Sequence, residues 1–228
     1  MLTRCIILVF FAAISGEGIA QAPNAAEIKN NKIKKITSRH KAKGETDAFV
    51  ASHFYNENGD DTAYYENDIR KYYLVVGYNR KLQPLTIAKF FPDGTAMDKT
   101  VFTYKPDGSS VSVNTDAQFG LKVTDTYDKK GHLMSETIPD GTVFKYVYNA
   151  KGQLTSTYSI PAQGDKKFTV SYSYNSKGKL IASTKKREYS LKTVYEYDPK
   201  GLLKKQTLTS TGESGEKNMS TVEYEYGY

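Results

Sequence analysis

One phrase recurs along this chain and limits what it can fold into. It reads Tyr127-Asp-Lys-Lys-Gly-His-Leu133, then Tyr148-Asn-Ala-Lys-Gly-Gln-Leu154, then Tyr174-Asn-Ser-Lys-Gly-Lys-Leu180, then Tyr197-Asp-Pro-Lys-Gly-Leu-Leu203. The tyrosines step by 21, 26 and 23 residues. A period of this kind marks an array in which each unit buries its face against its neighbours. The phrase itself specifies a turn. Asp or Asn followed by Lys-Gly suits a tight hairpin, because Asn and Gly tolerate positive φ. The turn glycines are Gly131, Gly152, Gly178 and Gly201.

Between the turns the pattern has period two. Phe144, Tyr146 and Tyr148 alternate with Val143, Lys145 and Val147, and Phe168, Val170, Tyr172 and Tyr174 alternate with Thr169, Ser171 and Ser173. In a strand such sets face opposite sides. A second turn signal, Pro-Asp-Gly, starts at Pro92, Pro106 and Pro139 and alternates with the Lys-Gly turns in the best-matched stretch, which describes an up-and-down meander. The reading predicts strands over 32–38, 47–55, 62–66, 71–78, 84–91, 98–105, 109–114, 119–127, 132–138, 142–148, 153–160, 166–174, 179–187, 190–197, 202–209 and 218–226. The repeats are clear over 119–209; Phe54 to Gly59 and Tyr78 to Leu82 look like decayed copies.

The stretch Tyr127 to Tyr148 resembles the YD repeat of the RHS family. It carries the Tyr-Asp, the Gly-x-Leu, the Pro-Asp-Gly turn and the closing Tyr-x-Tyr. The resemblance implies an array that curls into a β-sheet shell. In long members such shells enclose toxin domains. This chain shows too few repeats for a closed shell and ends on a repeat strand, so the expectation is a short exported module without a toxin domain. Sixteen strands at ~4.8 Å spacing give a flat width near ~77 Å, and accumulated twist curls a sheet that wide. The expected fold is therefore all-β: an antiparallel meander forming one curled, elongated sheet with a concave aromatic side.

The first residues read as an export signal. Arg4 precedes an apolar run from Ile6 to Ile14, and small residues at Gly18 and Ala20 mark a cut after Ala20. A cut after Ala22 would place rigid Pro23 just past the scissile bond. The expected organisation is a signal peptide over 1–20, a flexible segment over 21–31 and a repeat domain over 32–228. The single cysteine, Cys5, lies within the signal, so the mature chain uses neither disulfides nor Cys-ligated metals. The net charge of +7 is spread along the chain and reads as solubility and edge protection.

Chemistry is sparse. His40, His53 and His132 form no close pair, and Asn56 to Asp61 looks like a calcium loop only until Asn67, which stands where a bidentate Glu should close it. No nucleophile elbow or phosphate loop is present. The expectation is a non-enzymatic protein with no metal and no cofactor. The tyrosines remain: nineteen of them and no Trp. The candidate aromatic binding face is Phe144, Tyr146, Tyr148, Tyr172, Tyr174, Tyr195 and Tyr197. Its expected partner is a glycan or an envelope protein, not nucleic acid, and no membrane span is expected after signal cleavage. The expected role is a binding or structural module in the periplasm, at the cell surface or secreted. A carbohydrate-active enzyme with an unidentified carboxylate pair and an outer-membrane-associated β protein are the alternatives.

Overall fold

The structure is a computed structural model that describes residues 25–42, 49–81, 83–165, 169–186 and 190–228. The expected signal peptide lies outside the described residues. The described chain forms a helix, α1 (Ala25–Asn30), and sixteen strands. These are β1 (Lys35–Ala42), β2 (Phe49–Tyr55), β3 (Asp61–Glu66), β4 (Ile69–Tyr78), β5 (Pro84–Phe90), β6 (Ala96–Tyr104), β7 (Ser110–Asp116) and β8 (Lys122–Tyr127). They continue as β9 (Leu133–Thr137), β10 (Val143–Tyr148), β11 (Leu154–Ile160), β12 (Thr169–Tyr174), β13 (Leu180–Lys186), β14 (Ser190–Tyr197), β15 (Leu203–Thr211) and β16 (Lys217–Gly227).

Each strand pairs antiparallel with its sequence neighbours, as the alternating turns require. The sheet does not stay open. β1 pairs with β16 from Lys35↔Gly227 to Ala42↔Ser220, and the meander closes into a barrel. This overturns the expectation of a curled, elongated sheet with too few repeats to close. An open sheet would leave the N–H and C=O groups of two edges unpaired, and closure removes both edges.

Both turn signals build one hairpin. In Asp128–His132 the Gly131 N–H donates to the Asp128 carbonyl and the Asp128 N–H to the His132 carbonyl. The Pro-Asp-Gly turn repeats this with Gly141 to Ile138 and Ile138 to Thr142. The leading Asp or Asn has a direct task in the Tyr-Asp type. Asp128 Oδ1 accepts the N–H groups of Lys130 and His132, and Asn149 Oδ1 those of Lys151 and Gln153. Gly131, Gly152, Gly178 and Gly201 take φ of 84°, 78°, 80° and 81°, where a Cβ is strained.

All Tyr-Asp/Asn turns, with that of Pro106, fall at one end of the barrel, because each follows an even-numbered strand. α1 sits at this end. Ile28 is 0% exposed and packs with Ile33, Ile36, Tyr55 and Leu202, with Tyr224 and Tyr226 against them. Glu27 reaches the Lys179 Nζ at 2.9 Å. The segment expected to be flexible thus carries a docked helix that covers part of the barrel mouth.

Candidate functional site: the inner wall and an outer aromatic row

Register places every residue of the expected aromatic face on the inner wall. Phe144 pairs with Glu136, Tyr146 with Thr157, Tyr172 with Ser183 and Tyr195 with Gln206. The phenols have local partners. Tyr148 donates to the Leu133 carbonyl, Tyr174 to that of Leu154 and Tyr197 to that of Leu180. Tyr195 shares a hydrogen bond with Ser183 and Tyr172 with Thr157. Burial, then neighbouring tyrosines, pushes Tyr174 up to about 12. Tyr197 is likewise pushed up to about 12 by burial, with Tyr195 and Glu27 adding to it. Tyr146 is raised further, by burial first and then by Glu136 and Asp125. These rings are packing and clamping groups that keep their protons at physiological pH.

The same wall holds a carboxylate pair that sequence left unidentified. Asp125 and Glu136 are cross-strand partners on β8 and β9. Asp125 is 4% exposed; its Oδ2 accepts from Ser112 at 3.2 Å and Tyr127 at 3.1 Å, while its Oδ1 has no partner. Burial, reinforced by Asp125, pushes Glu136 up to about 7. Burial also raises Asp125, against the hydrogen bonds from Tyr127 and Ser112. Two like charges in register cannot both ionise cheaply in a poorly solvated wall.

The histidines do not converge. His53 lies on the inner wall with its Nδ1 2.6 Å from Asp61 Oδ2, whereas His132 caps its own turn, 2.9 Å from Asp128 Oδ2, and stacks on Tyr148. Asn56 Oδ1 accepts the N–H groups of Asn58 and Asp60, so the calcium-like stretch is a turn. Among the described residues, no cluster of three His, Cys, Asp or Glu side chains is placed to hold a metal.

The outer wall carries what sequence reasoning missed. One register line runs Lys35–Phe54–Ala63–Tyr73–Phe90 across β1 to β5. Phe54 packs with Tyr65 at 5.1 Å, and Tyr73 stacks on Phe90 at 5.3 Å. Between the two pairs lies Ala63, only 7% exposed, as a small floor. Lys35 Nζ stands 5.2 Å from the Phe54 ring and the Arg70 guanidinium 4.9 Å from Tyr73. The signal was the dipeptides Tyr64-Tyr65 and Tyr72-Tyr73. Consecutive aromatics in a strand must put one ring on each face.

Residues 127–166 match the family model of the RHS Repeat. The chain carries an RHS repeat over this stretch. It is 32% identical over 160 residues to the tRNA nuclease WapA of Bacillus subtilis (strain 168), a match over 63% of this chain. It is 33% identical over 150 residues, 62% of this chain, to the tRNA3(Ser)-specific nuclease WapA of Bacillus spizizenii. The chain spans 6% of the length of each of these relatives. Among solved structures, a porin-like protein from Bacteroides uniformis ATCC 8492 has the same fold, with a TM-score of 0.56 at 14% identity. That match covers 86% of this chain and 98% of the other.

Proposed function

We propose that this RHS-repeat protein is an exported, non-enzymatic module of the bacterial envelope that binds a glycan on the outer wall of its barrel. The observation that carries the reading is the row Phe54, Ala63, Tyr73 and Phe90 with Tyr65 beside it. The apolar faces of sugar rings stack on aromatic rings, and the small Ala63 stands between the two ring pairs. Arg70 and Lys35 add donors for hydroxyl or carboxylate groups at its margin. From Phe54 to Phe90 the row crosses three strand spacings, about 14 Å at ~4.8 Å each, the length of a short oligosaccharide.

Two further observations support this reading over its alternatives. Asp125 and Glu136 lie inside the wall behind Tyr127 and Tyr146, a place for structure rather than for turnover of a sugar. The outer wall carries the ion pairs Arg39–Glu225 at 3.4 Å and Lys205–Glu223 at 3.8 Å. Arg and Lys facing lipid at the bilayer midplane cost about 2–4 kcal/mol each, so this surface suits water. The activity in the WapA names belongs to proteins of which this chain spans 6%, and it is not carried over.

A glycan array probed with the protein and with the Tyr73→Ala, Phe90→Ala double variant tests the reading. Binding to a defined set of oligosaccharides that the variant loses supports it. No glycan binding, or binding that the variant retains, contradicts it.

A further inference from the structure

Closure gathers the charge of this chain at one end. The turns after β2, β4, β6, β8, β10, β12 and β14, together with α1 and its exit to Lys34, form one rim. Among the described residues of that rim, eleven Lys and Arg side chains are exposed against two exposed carboxylates, Glu57 and Asp107. The other rim acids are occupied: Asp128 and Asp198 cap their turns, Asp60 is buried and Glu27 is paired with Lys179. Lys81, Lys130, Lys151, Lys177 and Lys200 hold one structural position, the residue before the last-but-one of the hairpin loop. Consecutive hairpins repeat every two strands, so Lys130, Lys151, Lys177 and Lys200 stand about 10 Å apart around the mouth, and Lys81 lies two hairpins from Lys130, across the turn that holds Asp107.

We infer that this rim is a docking face for an anionic lipid surface, on which the barrel stands end-on with its lysines against the phosphate headgroups. A ring of point charges on one end of a barrel meets a flat surface all at once, whereas a single polymer strand crosses only part of it. Lysine is a flexible point charge suited to many phosphates rather than to one shaped ligand. A DNA strand carries a charge every ~3.4 Å, about three times the density of the ring, and ssDNA-binding grooves add successive stacking platforms. Among the described residues of this rim the exposed aromatic is Tyr228, and Lys200 Nζ already lies 4.9 Å from its ring.

The test is flotation of the exported protein, cut after Ala20, with vesicles of phosphatidylcholine alone and of phosphatidylcholine mixed with phosphatidylglycerol. The rim acts only on the second. Binding should be stronger to the anionic vesicles, and added salt should remove the difference. The variant K130Q/K151Q/K177Q/K200Q, changed only at exposed turn side chains that cap nothing, should lose at least about tenfold on anionic vesicles and nothing on neutral ones. Circular dichroism checks that it folds, and K130Q/K177Q is the fallback with a smaller loss. Equal binding of wild type to both vesicles overturns the proposal. So does binding to single-stranded DNA or to a soluble uronate polymer without binding to anionic vesicles. The outer aromatic row is untouched by these substitutions, so glycan binding reports separately.

Discussion

The Tyr148 hydroxyl donates to the Leu133 carbonyl at 2.9 Å, tying the closing tyrosine of one repeat to the leucine that follows the preceding turn. The same bond joins Tyr174 to Leu154 at 2.8 Å, Tyr197 to Leu180 at 2.9 Å and Tyr226 to Leu203 at 2.6 Å. Where the sequence has decayed, Tyr104 donates to Pro84, which stands in the leucine position. The acceptor is a backbone atom, which is why the side chain there can change while the clamp persists. Removing one hydroxyl leaves a half-buried carbonyl without its donor. Tyr174→Phe should therefore lower stability by about 1 kcal/mol, read from urea midpoints at unchanged slope. An unchanged midpoint would show that the bond contributes nothing.

The turn glycines face a second constraint beyond positive φ. A Cβ on Gly152 would come 3.1 Å from His132 Nε2 of the neighbouring turn, and one on Gly178 would come 3.3 Å from Gln153 Nε2. Gly152→Val should cost more than about 1 kcal/mol, whereas Ser171→Val on an exposed strand position should be close to neutral or stabilising. Equal denaturation midpoints for the two variants would remove the turn assignment.

α1 is short, and Ile28 is the side chain it buries most deeply. Ile28 is fully enclosed at the barrel mouth, so Ile28→Ala should cost about 2–5 kcal/mol, as large-to-small core changes do. Hydrogen exchange should speed up in β1 and β16 next to it. A loss below about 1 kcal/mol would show that α1 is not part of the cooperative fold.

Glu136 gives the barrel a pH dependence of unusual sign. Its folded pKa is raised to about 7, so the folded state holds a proton that the unfolded chain releases near its ordinary value of about 4.5. Its contribution is fully present below the unfolded value and is lost as pH rises to about 7 and levels off above it. Glu136→Gln should remove that fall, and the stability difference between variant and wild type should grow from pH 4.5 to 7. Parallel pH profiles for the two proteins would mean that Glu136 is not held protonated.

The sequence carried the local structure further than the global one. All sixteen expected strands overlap observed strands in order, because turn chemistry and period-two alternation are local signals and both pointed the same way. Closure was not legible. Nothing in Thr37 or Glu225 names the other as its partner, and β1–β16 pairing is a contact between the two ends of the array. The basic rim was illegible for the same reason. Lys81, Lys130 and Lys200 are scattered in sequence and meet only because every second turn returns to one end. The alternation of Phe144, Tyr146 and Tyr148 with Val143, Lys145 and Val147 placed these rings on one face and curling placed that face on the concave side; the register puts them on the inner wall. Phe54, Tyr73 and Phe90 were passed over because their repeats have lost the Tyr-Asp phrase.

Closure is the claim on which the rim, the inner wall and the outer row all depend. With Cys5 replaced by Ser, Lys41→Cys and Thr221→Cys place two spin labels on register partners of β1 and β16. A closed barrel puts these backbones about 5 Å apart, one strand spacing, and the continuous-wave spectrum should show strong dipolar broadening. A sixteen-strand sheet left open sets them about fifteen spacings apart, near 70 Å if flat, and the spectrum would equal the sum of the singly labelled proteins. Broadening that disappears on unfolding is the predicted result; its absence in the folded protein would contradict the barrel.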